Sequence, residues 1–279
     1  MKRTKNFKIE HILYLIATPI GNLQEMSERA LHILKECDIV AAEDTRNANM
    51  LLSHFDIHKK TLSLREHNET VASNKIVELI KQGQKVVYMS DAGYPGISDP
   101  GNVLVKIALE NDIAVSTVSG SSAFINALVA SGLPSDHFYF YGFLSPKQGE
   151  RKTQIKNLSK IESTVIFYES PHRIGETLMD LYDVLGNRNA VLARELTKIN
   201  EEFIRGTLEE LANIDSSTLI GEMVLLVEGN KNEEISDEEI TDYVGYLVNK
   251  GISEKTAIEI TAELLKVQKN RVKKLIINK

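Results

Sequence analysis

Twelve consecutive residues concentrate most of the chemistry visible in this chain. Ser90-Asp91-Ala92-Gly93-Tyr94-Pro95-Gly96-Ile97-Ser98-Asp99-Pro100-Gly101 lies between an apolar run, Val86–Met89, and an amphipathic stretch that begins at Val103. Glycine admits positive φ and lets backbone approach a ligand closely. Asp91 falls at the carboxyl end of the apolar run, where open α/β sheets bind ligands. A plain connector seldom needs so many special residues, so the segment reads as a ligand loop. By local rules Asp99 is the N-cap of the following helix and Pro100 its first residue.

Similar tips recur after other apolar runs: Thr18-Pro19-Ile20-Gly21-Asn22, Glu43-Asp44-Thr45-Arg46, Arg65-Glu66-His67-Asn68 and Ser119-Gly120-Ser121-Ser122-Ala123. In a parallel sheet such tips share one edge, and a cleft is expected there. Further along, Tyr168-Glu169-Ser170-Pro171-His172-Arg173 offers an arginine suited to a bidentate phosphate grip, with Ser170 as a helix cap. Ala193-Arg194-Glu195-Leu196-Thr197-Lys198 is a similar charged tip.

The elements that position these tips follow from periodicity. Strands are predicted near 12–17, 38–43, 61–65, 85–90 and 113–118, with helices near 27–36, 46–55, 70–82 and 102–110. This alternation implies a mainly parallel sheet covered by helices, an α/β domain over 1–118. A second set has strands at Phe138–Tyr141, Thr164–Tyr168, Ala190–Ala193 and Met223–Val227, and helices at Ser122–Ala130, Gln148–Leu158 and Arg173–Leu185. Closer strand spacing after residue 190 predicts a mixed sheet in this second domain, 119–229. The remainder, 230–279, reads as an acidic linker and short helices, with Ser253 capping the helix Glu254–Leu265.

Composition sets limits. The chain has 279 residues, 42% hydrophobic, enough for two domains with real cores. One cysteine, Cys37, rules out intrachain disulfides and cysteine-based zinc sites. His54 and His58 have i, i+4 spacing but flank a helix end, so they read as surface histidines and no metal is expected. No apolar segment reaches membrane-spanning length and no secretory signal is apparent, which fits a cytoplasmic protein. Gly-x-Gly-x-x-Gly and P-loop motifs are absent, against a dinucleotide oxidoreductase or an NTPase. Net charge is −6, yet residues 1–8 and 265–279 carry basic side chains and no acid. Two basic ends on an acidic body suit local contact with phosphate backbone.

Together, Leu13–Leu23, Ala42–Arg46, Glu66–Asn68, Ser90–Gly93, Ile97–Gly101, Ser131-Gly132-Leu133-Pro134, Tyr168–Arg173, Arg194–Lys198 and Gly221-Glu222 resemble the bacterial ribosomal RNA small-subunit methyltransferase I family of the tetrapyrrole-methylase-like superfamily. The matches are ordered and cover 12–229. The resemblance implies a two-domain fold with S-adenosylmethionine in the interdomain cleft, a homodimer, and methyl transfer to the 2′-hydroxyl of a decoding-centre cytidine in 16S rRNA. Donor contacts would fall on Pro19, Ser90, Asp91, Ala92, Ile97, Ser122, Ala123, Tyr168 and Ala193. Ala17, Ser119, Ser121 and Ser145 depart from the family pattern, and the two serines that replace prolines are expected to loosen the loop before Ser122.

A ribose hydroxyl is weakly acidic, so a positioned base would help. Glu43, Asp44, Glu66, His67, Glu169 and Glu195 are the candidates, and His67 has the most suitable unperturbed pKa. Arg46, Arg173, Arg194 and Lys198 are expected to hold flanking phosphates. Two rival readings remain open at this point. One is a methyltransferase acting on a tetrapyrrole. The other is a nucleic-acid-binding regulator that uses its C-terminal helices as a helix-turn-helix.

Overall fold

The computed structural model describes residues 12–231, 236–265 and 267–277. Its elements are β1 (Ile12–Ile16), α1 (Glu28–Glu36), β2 (Ile39–Ala42), α2 (Thr45–His54), β3 (Lys60–Ser63), α3 (Glu69–Lys81), β4 (Val86–Met89), α4 (Asn102–Glu110) and β5 (Ala114–Val118). Then come α5 (Ala123–Ser131), β6 (Phe138–Phe143), α6 (Gln148–Leu158), β7 (Thr164–Glu169), α7 (Ile174–Leu185), β8 (Asn189–Arg194), β9 (Glu202–Thr207), α8 (Leu208–Ala212) and β10 (Met223–Val227). The last helices are α9 (Asp237–Asn249), α10 (Glu254–Leu264) and α11 (Lys269–Ile277). Of the described residues, those from 12 to 230 form one compact unit and those from 231 onward a second.

The first sheet is wholly parallel, in the order β3-β2-β4-β1-β5. Its central strands are buried on both faces, and side-chain alternation divides them between two cores. Ile12, Tyr14 and Ile16 of β1 join Val40, Ala42, Val87 and Met89 under α1 and α2. Leu13 and Leu15 join Ile39, Ala41, Val86 and Tyr88 under α3 and α4. Such double burial produces the continuous apolar runs that predict these strands, and their bounds agree within two residues.

The second sheet runs β6-β7-β10-β8-β9. β6 pairs with β7 in parallel, and the other pairings are antiparallel, so the sheet is mixed as expected. Helix α5 covers one face, over Ile166, Val191, Ala193, Val224 and Leu226. Helices α6, α7 and α8 cover the other, over Val165, Phe167, Leu192 and Leu225. The edge strand β9 is not among the predicted strands. Its residues are exposed or half-buried throughout, so no alternating apolar signal marks it.

The start of α4 corrects the sequence reading. Asp99 and Pro100 precede the helix, and Gly101 occupies its N-cap at φ 140°. A Cβ at Gly101 would stand 3.0 Å from the Tyr88 ring and 3.1 Å from Gly96 N, because the loop folds back on itself there. Glu69, at the start of α3, supplies the cap: its Oε1 accepts from Gly101 N at 2.7 Å and Val103 N at 3.1 Å. A similar difference marks α7. Arg173, not Ser170, stands at its N-cap, and the Ser170 carbonyl accepts from the amides of Arg173 and Ile174.

In the second unit, α9, α10 and α11 share a small core of Ile240, Val244, Ala257, Ile258 and Val272. Ser253 caps α10, accepting from Thr256 N at 3.3 Å. Lys269 and Arg271 pair with Glu259 and Asp237, while Lys273 and Lys274 are exposed. Lys266, Lys279 and the basic residues of 1–8 lie outside the described residues. Among the described residues, no helix is long and apolar enough to cross a membrane.

The borrowed cap gives a stability prediction. Glu69→Ala removes one carboxylate from two amide donors and should cost about 1–2 kcal/mol, the loss typical of a helix cap. Chemical denaturation measures it, and Glu69→Gln should recover part of the loss.

Candidate active site

The ligand loop between β4 and α4 is built rather than slack. Gly93, Gly96, Ser98 and Gly101 all adopt positive φ, and Ser98 does so as a non-glycine at 61°. Ser90 Oγ donates to the Gly93 carbonyl at 3.0 Å, Gly96 N to the Pro100 carbonyl at 3.1 Å, and Tyr88 Oη to the same Pro100 carbonyl at 2.9 Å. Thr18 and Gly93 exchange backbone hydrogen bonds at 2.9 and 3.0 Å, which ties this loop to the tip after β1. Backbone strain held by so many bonds is characteristic of ligand-binding segments.

The loop before α5 is also tied, at Ser121 and Gly120. Ser121 Oγ donates to Glu25 Oε2 at 2.5 Å, and Gly120 N donates to Tyr94 Oη at 3.1 Å. A Cβ at Gly120 would lie 3.0 Å from the Ala17 Cβ, so the alanine that departs from the family pattern packs directly on this glycine.

These loops meet the tips of the second sheet around a cavity of about 310 Å³. Its wall takes Ile20, Ala92–Tyr94 and Ile97–Asp99 from the first sheet's edge. Ser122 and Ala123 of the α5 start, Phe143, Tyr168–Pro171, Leu196 and Glu222–Val224 complete it. The wall is largely apolar with a few polar groups, the usual make-up of a small-molecule site. A second cavity of about 180 Å³ adjoins the β1 and β4 tips, lined by Pro19, Gly21, Leu23, Asn47, Ala48, Leu51, Met89, Ser90 and Asp91.

The residues singled out from the sequence distribute unevenly over this geometry. Ala92, Ile97, Ser122, Ala123 and Tyr168 line the larger cavity. Pro19, Ser90 and Asp91 line the smaller one. Ala193 is fully buried behind the larger cavity, paired across the sheet with Val224. Asp91 has a structural task as well, accepting from Asp44 N at 3.1 Å and Asn47 Nδ2 at 2.7 Å. His67 is exposed in the short helical turn Glu66–Asn68 and lines neither cavity.

The four cations suited to phosphate all have carboxylate partners. Arg46 pairs with Asp44, Arg173 with Glu169 at 2.6 Å, and Arg194 with Glu202 at 2.5 Å. Lys198 reaches Glu195 at 2.9 Å and Glu222 at 3.0 Å. The Lys198 tip abuts the β1 tip, since a Cβ on Gly21 would lie 2.5 Å from Lys198 Cγ. Glu195 and Thr197 adopt left-handed φ of 51° and 66° in this turn.

Electrostatics separates the candidate bases. The Arg46 side chain and backbone amide hold the Asp44 carboxyl well below the usual carboxylate range. The hydrogen bond from Lys198 likewise lowers Glu195. Both are ionised at neutral pH and poorly disposed to accept a proton. Burial, reinforced by Asp91, raises Glu43. Asp99, a cap by local rules, has another place in the structure. It stands in the larger cavity's wall, and burial, with Glu43 and Asp91 nearby, pushes it up to about 6. Phe143 and Met223-Val224 are concealed, because apolar residues near strand ends read simply as core, whereas Ile20, Tyr94 and Leu196 lie within the loop and tips singled out from the sequence. Among the described residues no cluster of His, Cys, Asp or Glu could hold a metal ion.

Known proteins share this architecture. Residues 12–212 match the family of tetrapyrrole (corrin/porphyrin) methylases. Proteins named ribosomal RNA small subunit methyltransferase I are close relatives. That of Halalkalibacterium halodurans is 43% identical over 90% of this chain and 89% of its own length. That of Haemophilus influenzae is 44% identical over 93% and 94% respectively. Among solved structures, cobalt-precorrin-4 methyltransferase superposes with a TM-score of 0.59 at 15% identity, over 78% of this chain and 95% of that one. Diphthine synthase superposes with a TM-score of 0.61 at 17% identity, over 78% and 89%. At such identities these two likenesses speak for the fold alone.

The wall beside Tyr168 rests on Glu169. Its buried carboxylate takes hydrogen bonds from Arg173 Nη2 at 2.6 Å, Thr177 Oγ1 at 2.7 Å and Ser170 N at 2.8 Å. Glu169→Ala should therefore cost about 3 kcal/mol, near the lower end for breaking a buried pair because Arg173 keeps some contact with water. Denaturant midpoints measure the loss.

Proposed function

The chain belongs to the tetrapyrrole methylase family, within its ribosomal RNA small subunit methyltransferase I group, and from that membership we propose that it methylates the ribose 2′-hydroxyl of a decoding-centre cytidine in 16S rRNA of the small ribosomal subunit. The observation that carries this reading is the relatives' identity of 41–44% along nearly the whole chain. It is supported by a cavity built mainly from the segments that carry the family resemblance.

S-adenosylmethionine is the methyl donor, and when bound it supplies an electrophilic methyl group on a positively charged sulfur. The cavity fits such a molecule. Ile20, Ile97, Phe143, Leu196 and Val224 offer apolar surface for an adenine ring. Ser122 at the start of α5 makes no capping hydrogen bond with its side chain, while the Phe124 amide of the first turn donates to the Tyr168 hydroxyl. Asp99 places a negative group in the wall for a cation. The chain's main task is then positioning, since the methyl group arrives already activated.

Arg46, Arg173, Arg194 and Lys198 would exchange a carboxylate partner for an RNA phosphate. The exposed Lys273 and Lys274 of α11 add basic surface in the second unit. Binding of phosphates by such cations releases counterions. Replacing Lys273 and Lys274 with alanine should weaken small-subunit binding while donor binding stays unchanged. The slope of log affinity against log salt should shrink by about 1 for each phosphate that the two lysines no longer neutralise. Filter binding across a salt series measures this.

Labelled-methyl transfer tests the reading as a whole. Wild-type protein and labelled donor, incubated with small subunits that lack the modification, should place label on one cytidine ribose. Label on a base, on another nucleotide or on no RNA would contradict it. Sedimentation of the same preparation should give a homodimer, twice the 31.2 kDa chain mass.

A further inference from the structure

The second sheet brings two carboxylates to the wall of the larger cavity, Glu169 and Glu222. Glu169 is buried, and Arg173, Thr177 and the Ser170 amide occupy its oxygens. Glu222 differs. Its side chain is 76% exposed, and Oε2 accepts from Lys198 Nζ at 3.0 Å. Its Oε1 accepts from no described residue. One ionised oxygen is therefore free in a wall that is otherwise largely apolar.

Glu195 fixes the main chain at this point. Its amide donates to the Glu222 carbonyl at 3.0 Å, and its Oε1 accepts from Glu222 N at 3.1 Å and Lys198 Nζ at 2.9 Å. Residue 221 must be glycine for this, because a Cβ there would collide with Glu195 Oε1. The turn is costly. Glu195 and Thr197 both adopt left-handed φ, a genuine outlier for a β-branched residue, and the Thr197 hydroxyl is buried without a partner among the described residues. Strain of this kind persists where a ligand clamp needs it.

Position selects the group that Glu222 would meet. Its bonds to Glu195 continue the β8–β10 pairing, so Glu222 and Val224 point to the same face, about 7 Å apart along the strand. Val224 and Leu196 belong to the apolar surface that suits adenine. In S-adenosylmethionine the ribose is bonded directly to the adenine, whereas the ammonium lies beyond the sulfur. The ring edge is a poorer match, because its amine stands between nitrogen acceptors that a carboxylate repels. A vicinal diol presents two donors, and hydroxyl bonds to an ionised oxygen are short and strong. An acidic residue on ribose hydroxyls is also a recurring solution in nucleotide sites.

We propose that Glu222 is a donor-binding residue that accepts hydrogen bonds from the ribose hydroxyls of S-adenosylmethionine, with Glu195 as the residue that positions it. The inference rests on the methyltransferase reading above.

Calorimetry on the full-length chain tests it. Glu222→Ala should bind S-adenosylhomocysteine about tenfold more weakly than wild type, the lower end for losing a hydrogen bond to a charged group. Glu222→Gln should lose less. 5′-Methylthioadenosine, which keeps the ribose and lacks the ammonium, should show the same tenfold loss. The 2′,3′-dideoxy analogue of S-adenosylhomocysteine should bind wild type and Glu222→Ala within about twofold of each other. Glu195→Ala should weaken S-adenosylhomocysteine but not the dideoxy analogue, and Glu195→Gln, which keeps an oxygen for the Glu222 amide, should recover most of the loss. A merely structural role would weaken both ligands alike.

Unchanged S-adenosylhomocysteine affinity in Glu222→Ala would overturn the proposal. So would a loss that vanishes with methylthioadenosine, which would assign Glu222 to the ammonium, or one that persists in full with the dideoxy analogue. Wild-type protein with no affinity for S-adenosylhomocysteine would instead overturn the methyltransferase reading itself.

Discussion

The backbone pairing of Thr18 with Gly93 holds the site together. These two hydrogen bonds join the tip after β1 to the loop after β4, beyond the last register of the parallel strands. Gly93 can take part because it adopts φ 72°, a conformation that a side chain strongly disfavours. Once the bridge is set, Ser90, Gly96 and Tyr88 fold the rest of the loop back, and Gly101 ends it against Tyr88. The same loop reaches the connection before α5 through Tyr94 Oη, which accepts from Gly120 N. Rigid strands buried on both faces therefore present a strained loop at a defined place, and the cavity wall follows from it.

Charge at the rim obeys a different logic. Nearly every acid and base near the cavity is tied to a partner: Asp44 to Arg46, Glu169 to Arg173, Glu195 and Glu222 to Lys198. Such pairs hold tips of both sheets in place and keep the cations available for exchange with a phosphate. Asp99 is the exception in the wall, partly buried and without a donor among the described residues. Proteins retain unfavourable groups of this kind where function needs them.

Much of this is legible in the residues, and the failures have physical causes. Doubly buried strands announce themselves as apolar runs, so both sheets are placed closely except for β9, whose half-exposed edge carries no period. The five tips after the first sheet's strands read as a cleft edge, and several do line cavities. What fails is the assumption that caps are local. Asp99 looks like an ideal N-cap, but a glutamate 32 residues before Gly101 takes that role and frees Asp99 for the cavity. The α5 loop, expected to be loose, is tied where the hydroxyl of Ser121 finds Glu25 across the fold. Partners so distant in sequence leave no local signal.

The central claim is that the cavity between the two sheets' tips receives the methyl donor. A crystal structure of the protein with S-adenosylhomocysteine tests it most directly. The account predicts the ligand within the larger cavity, its adenine against Ile97, Phe143 and Leu196. Ligand seated in the cavity beside Pro19 and Asn47, or elsewhere on the molecule, would contradict it.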